Sequence, residues 1–422
     1  MISFFIAVIK IVFILGFLVL IHEGGHFLVA KLCKIKVNEF AIGFGPTIWK
    51  KQGKQTKYAL RLIPLGGFVS MEGEEEHSDE EGSFSKASIP KRIAVVAAGG
   101  LVNIAFAIII YFILMSSIGN NVSNYVDSII PNTNAEVVGL KPNDKILKVN
   151  GKTIFYKADL DKAMEQSNGE ELEVVIERDG QEQTIYVEPM TEQYNYTGIA
   201  ISGTGEIATK IVAIYPNSPA AMQGLEANDI ILSVNGVEIK EDATTTQLVN
   251  EINRNIGQNL NFMIQRNGET IAVEVTPEVR ENYYMGVYLK VAENNLGNNL
   301  YYAFFETGEF AFSIVDNLKM LFTGGVSIDQ MMGPVGIGEV VSQTNGIADF
   351  VYILALVSIS LGFTNLLPFP PLDGGKIVIL LIEAIRRKPM KQQTEIAIQM
   401  VGFMVLIGLS ILVTYNDILR IF

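Results

Sequence analysis

Four stretches of this chain are apolar for long enough to span a bilayer, and the segments between them are not. From Met1 to Ile21 the only charge is Lys10, which predicts a membrane helix over residues 1–31. An uncharged run preceded by Lys91-Arg92 predicts a second span at 93–118. A third is predicted over 345–376 and a fourth over 396–419. Residues 300–340 are apolar too, but Glu306, Glu309, Asp316 and Lys319 interrupt them, so they read as an interfacial amphipathic segment on the outer leaflet.

Basic residues give the orientation. Lys31, Lys34, Lys36, Lys50, Lys51, Lys54, Lys57 and Arg61 follow the first span, and Arg386, Arg387, Lys388 and Lys391 lie between the last two. Both loops read as cytoplasmic, which puts the termini and the long segment between spans two and three outside. Within the loop at 32–92, Tyr58–Met71 has two short alternating runs around Pro64 and Gly66-Gly67, predicting a β-hairpin.

The long outer segment contains a duplication. Ile129–Ile154 aligns without gaps on Ile214–Ile239, with 14 of 26 positions identical at an offset of 85. The match resumes at Glu177-Arg178-Asp179-Gly180 against Gln265-Arg266-Asn267-Gly268, each a hairpin turn between alternating strands. A period that long is a whole small domain and not a solenoid unit. The repeated pattern resembles a PDZ domain, and chain order puts the two copies at 121–204 and 205–292. Inert spacers are the plainer reading of the same repeat. The fold class that follows is a polytopic α-helical membrane protein, with four transmembrane helices and two tandem extracytoplasmic PDZ-like β+α domains.

Composition narrows the partners. Hydrophobic residues make up 49% of the chain and charged ones 18%, too apolar for an ordinary soluble protein. A net charge of −13 excludes a nucleic-acid partner, which needs a basic face. Cys33 is the only cysteine, so no internal disulfide forms.

The chemistry sits at the inner end of the first span, in His22-Glu23-Gly24-Gly25-His26. Histidines four apart share one helix face and can grip one metal ion, and Glu23 can then serve as base to a metal-bound water. Ionisable residues at membrane depth cost roughly 2.5–3.5 kcal/mol each, so incidental histidines are the poorer reading. A catalytic zinc with one open position needs a third protein ligand. His77, the only other histidine, lies in an acidic run that reads as a solvated loop. Asp373, in Asn365-Leu366-Leu367-Pro368-Phe369-Pro370-Pro371-Leu372-Asp373-Gly374, is the carboxylate at matching depth. Two alternatives stay open: Asp373 as a helix cap, and Glu339 or Asp349 as ligand.

His22-Glu23-x-x-His26, Asn365-x-x-Pro368-x-Pro370-x-Leu372-Asp373-Gly374 and the intervening PDZ-like repeat together resemble the site-2 protease family of intramembrane zinc metalloproteases, over essentially the whole chain. Ile63-Pro64-Leu65-Gly66-Gly67 and Gly333-Pro334-Val335-Gly336 match as well. Gly99-Gly100-Leu101-Val102-Asn103 departs from the family's usual Gly-Pro start. The resemblance implies Zn2+ held by His22, His26 and Asp373, general-base catalysis by Glu23, and substrate binding by Asn365. It implies a β-loop that dips into the membrane and offers an edge to extended substrate. It also implies single-pass transmembrane substrates, such as anti-sigma factors or remnant signal peptides, in a bacterial cytoplasmic membrane. The rival function is a non-catalytic PDZ-bearing membrane scaffold with a vestigial metal site, for which an intact Glu23 would have no use.

Overall fold

The computed structural model describes residues 2–74, 76, 78–119, 121–201, 209–215, 218–240, 244–266, 268–323, 333–342, 344 and 346–421. His77 lies outside them. The chain divides into a unit formed by Met1–Asn120 with Glu293–Phe422, and a second unit, Asn121–Ala292.

In the first unit, four helices among the described residues are long and apolar enough to cross a bilayer: Val8–Leu32, Ile89–Ser117, Ile347–Leu366 and Gln392–Ile418. The second of these begins with proline in its first turn, where the missing N–H costs nothing, and stops at Gly119 in the left-handed region (φ 69°). The third is shorter than the expected 345–376. It ends at Leu366, because Pro368, Pro370 and Pro371 cannot continue it, and Asp373 opens a separate helix, Asp373–Arg386.

The segment expected at 300–340 forms the helix Leu296–Thr323 and the short helix Pro334–Ser342. Ala303 and Ala311 of the longer helix pack into the core shared by the apolar helices, whereas Leu300, Phe304 and Phe312 are exposed. Asp417 of the last helix is buried and accepts from the Gly333 and Gly336 N–H groups at 3.2 and 2.8 Å, tying that helix to the start of Pro334–Ser342.

Two cores bracket a level between them. One gathers Ile14, Leu18, Ala107, Ile110, Leu354 and Ile359; the other gathers Ala30, Val37, Met71, Val95, Val96 and Leu380. His22 and His26 fall between Leu18 and Ala30 on the first helix.

The runs in Tyr58–Met71 do not pair with each other as a hairpin. Both pair with the strand Val37–Gln52: Phe40 faces Tyr58 on one side and Val69 on the other, and Ala41 faces Ala59 and Phe68. Residues 37–42 therefore lie between 57–60 and 67–71, and 67–71 forms an outer edge with no further strand pairing among the described residues. At the tip, a Cβ on Gly16 of the first helix would lie 2.6 Å from the Pro64 carbonyl oxygen, so the tip packs against that helix.

The second unit contains both repeat copies, each with its own core. Each copy is closed by the same clamp. Arg178 donates to Asp144 (2.6 and 2.7 Å) and to the Gly139 carbonyl (2.9 Å); Arg266 donates to Asp229 (both 2.7 Å) and to the Gly224 carbonyl (2.8 Å). Burial alone would raise the Asp144 carboxyl, but the Arg178 guanidinium outweighs it and holds the group below the usual carboxylate range.

The expected boundary at 204/205 does not coincide with the packing. The last strand, Val287–Val291, pairs with Val122–Ile129, and Met285, Val287 and Leu289 pack with the first copy's core. Ile199–Ile201 pairs instead with Ile211–Ile214, and Ile199 and Ile201 pack with the second core. The strands between, Met190–Tyr196 and Glu278–Tyr284, pair antiparallel as a two-stranded ribbon. The second copy is thus inserted within the first. A strand goes where its apolar face completes a core, whatever its place in the sequence.

This nesting is testable with Met285, which chain order assigns to the second copy. Met285→Ala should cost about 2–5 kcal/mol in the core it fills. Hydrogen exchange should then accelerate in 172–178 and not in 260–266; the reverse pattern would restore the boundary at 204/205.

Candidate functional site

His22 and His26 are one turn apart on a helix and face the same way. Their Nε2 atoms lie 3.2 Å apart. Asp373, on the first turn of its helix, brings Oδ2 to 3.2 Å from His22 Nε2 and 3.4 Å from His26 Nε2. These three side chains are the one group of potential metal ligands that converges among the described residues. Of the two alternative ligands, Asp349 is exposed on the first turn of Ile347–Leu366, and Glu339 lies on Pro334–Ser342.

The spacing suits zinc. Bonds of about 2.0–2.1 Å at tetrahedral angles place neighbouring ligand atoms roughly 3.3 Å apart. The protons are arranged to match. His26 Nδ1 lies 2.8 Å from the Val95 carbonyl oxygen, so Nδ1 carries the proton and Nε2 turns its lone pair to the site. Asp373 Oδ2 is buried without a hydrogen-bond partner, as befits an atom reserved for a cation.

The second apolar helix supplies the wall. A Cβ on Gly99 would collide with His26 Nε2 and lie 2.7 Å from His22 Nε2, so no side chain fits there beside the histidines. Gly25 permits the same approach from the other side, since a Cβ there would lie 2.6 Å from the Ala98 carbonyl oxygen. Gly24 meets nothing within 4 Å, so only the second glycine of the motif is required by packing.

Glu23, His22, His26 and Asp373 line one cavity of about 670 Å³. Phe68, Val69 and Met71 of the edge strand form another part of its wall, and a Cβ on Gly67 would lie 3.6 Å from Glu23 Cγ. Polar groups line it as well: Glu74, Lys376, Gln392, Glu395 and Gln399, with Lys376 Nζ bonded to Glu74 at 2.8 Å. Asn365 is half-buried on the last turn of its helix and is not among the residues lining the cavity.

Sequence reasoning found the residues that converge but missed what holds them. Val95, Gly99 and Asn103 recur every four residues on the second helix and so form one stripe. That stripe faces the histidines. A glycine and an asparagine at helical spacing in an otherwise apolar span were the available signal.

A model of the family described as "Peptidase family M50" matches residues 10–409. The chain is 29% identical to "Regulator of sigma-E protease RseP" of Escherichia coli, over 100% of both chains. It is 31% identical to "Zinc metalloprotease RasP" of Shouchella clausii, over 97% of this chain and 98% of that one. Among solved structures, the HtrA3 PDZ domain bound to a phage-derived ligand is similar over 22% of this chain and 93% of that one, at 20% identity and a TM-score of 0.19. With its paired histidines, converging aspartate and match from residue 10 to residue 409, the chain belongs to peptidase family M50, the site-2 proteases, and is a zinc metalloprotease.

Proposed function

We propose that this chain is an endopeptidase that cuts transmembrane segments of single-pass proteins within the bilayer, with His22, His26 and Asp373 as zinc ligands and Glu23 as the base. The observation that carries this reading is the triangle of donor atoms at 3.2–3.4 Å opening on the same cavity as Glu23. Bound there, zinc supplies a water of lowered pKa and polarises the scissile carbonyl. The Glu23 carboxylate takes the proton of the attacking water and passes it to the leaving nitrogen. The Asn365 side-chain amide holds substrate backbone in this reading, which requires substrate to reach beyond the cavity's present lining.

A helical substrate hides its carbonyls in its own hydrogen bonds and has to be opened first. The outer edge at 67–71 supports a route: an extended segment adds to it as a further strand and lies beside Glu23. Exposed Phe44, Trp49, Leu62 and Ile63 suit a sheet that dips into lipid. The bilayer is a cytoplasmic membrane, with the basic loops and active site toward the cytoplasm and the Asn121–Ala292 unit outside. Water reaches the site through the polar part of the cavity, since irregular backbone at membrane depth needs such a space. Substrates of this class include anti-sigma factors and remnant signal peptides. The repeat copies act as PDZ-like modules that filter by size, because Tyr196-Thr197-Gly198-Ile199 and Tyr284-Met285-Gly286-Val287 carry no basic residue to hold a free carboxylate.

Glu23→Gln keeps size and polarity but removes the base. Zinc content should stay at about one per chain while hydrolysis of a model transmembrane substrate in detergent falls about 10²–10⁴-fold. Retained turnover would show that another group accepts the proton. Removal of the whole Asn121–Ala292 unit, needed because its copies are nested, should leave zinc bound and short-tailed substrates cleaved, and should admit substrates with a bulky outer domain. Loss of short-substrate cleavage with zinc still bound would instead mean that the modules select substrate positively.

A further inference from the structure

We propose that Asn103 is a positioning residue, whose side-chain oxygen accepts the Nδ1 proton of His22 and so holds that ring in the form that offers Nε2 to zinc. The inference rests on the zinc reading above and concerns how one ligand is oriented.

The two histidines present the same problem. A ring that gives its Nε2 lone pair to a metal carries its proton on Nδ1, and a buried N–H needs an acceptor. His26 has one, the Val95 carbonyl oxygen at 2.8 Å. His22 is equally buried, and its Nδ1 faces the side-chain amide of Asn103, with Nδ2 at 3.4 Å. As oriented, that amide presents a donor to His22, and its Oδ1 is buried with no hydrogen-bond partner. A half-turn of the amide exchanges two groups of nearly the same shape. It brings the orphaned oxygen onto His22 Nδ1 and turns a donor–donor contact into a hydrogen bond.

The surroundings support a fixed role. Asn103 is fully buried, and its backbone carbonyl accepts from Ser358 Oγ at 2.8 Å, which pins this turn of the second helix to the third apolar helix. The first two helices then run past each other as a paired series. His26 meets Val95, His22 meets Asn103, and Gly99 leaves room between them. A backbone carbonyl serves one ligand and a side-chain amide serves the other. Asparagine is short enough to reach the ring without displacing it, and a polar side chain sealed in an apolar helix is otherwise costly.

The test compares Asn103→Leu, similar in size but with no acceptor, and Asn103→Asp, which keeps an oxygen toward His22. Zinc affinity of the full chain in detergent, read by competition with a chelator, should weaken about 10–100-fold in Asn103→Leu. It should stay within about threefold of the unsubstituted protein, or tighten, in Asn103→Asp, because the acceptor is retained. Unchanged affinity in Asn103→Leu overturns the role, and so does equal weakening in both variants, which would indicate shape alone. If Asn103→Leu fails to fold, the unsubstituted protein decides. It has three histidines, so ¹⁵N-histidine spectra of the zinc-loaded chain resolve each ring. His22 should be metal-bound through Nε2 with an exchange-protected Nδ1 proton; coordination through Nδ1 overturns the proposal. An unsubstituted chain that bound no zinc would remove the zinc reading itself, and the role of Asn103 with it.

Discussion

Three polar atoms brought within 3.2–3.4 Å of one another among apolar helices repel unless a proton or a cation stands between them, and much of the helical unit serves to hold them there. The first two helices have to touch at this level, which Gly25 and Gly99 allow by having no side chains to interpose. The third helix has to stop short so that the chain can turn back, and its prolines stop it. Asp373 then arrives on the opening turn of a new helix, its position set by the loop and not by continuation of the span. Val95 and Asn103 face the histidines from the stripe that also bears Gly99. In the zinc reading, the cost of burying such a group is offset because a single ion answers all three side chains at once.

What the chain states locally, it states plainly. Apolar runs of membrane length, histidines four apart and a duplicated 26-residue stretch are each properties of neighbouring residues, and the structure has four such helices, the paired histidines and two repeat cores, with the third helix cut short at Leu366. What failed was long-range. Val287–Val291 has the alternation of any strand, and nothing in those five residues says that its partner begins at Val122. The same holds for Tyr58–Met71, whose two runs look fit to pair with each other until residues 37–42 are seen between them. Asn103 was visible as an oddity in an apolar span, but its meaning depends on what the neighbouring helix presents one turn at a time.

The nested arrangement carries a consequence for the Asn121–Ala292 unit. Because the strand that completes the first copy comes after the second copy in sequence, the first core cannot close until the whole of 121–292 is present. The ribbon of Met190–Tyr196 with Glu278–Tyr284 joins the two strands that cross over between copies. The pair is better viewed as one assembly with two cores than as beads on a string.

The central claim is that two imidazoles, from the first helix, and one carboxylate hold a single zinc ion. X-ray absorption at the zinc edge of the purified full-length protein reads that ligand set directly. The account predicts a four-coordinate shell of nitrogen and oxygen at about 2.0–2.2 Å, with two imidazoles and no sulfur, which collapses in Asp373→Ala. A shell containing sulfur, or one unchanged when Asp373 is replaced, would contradict it.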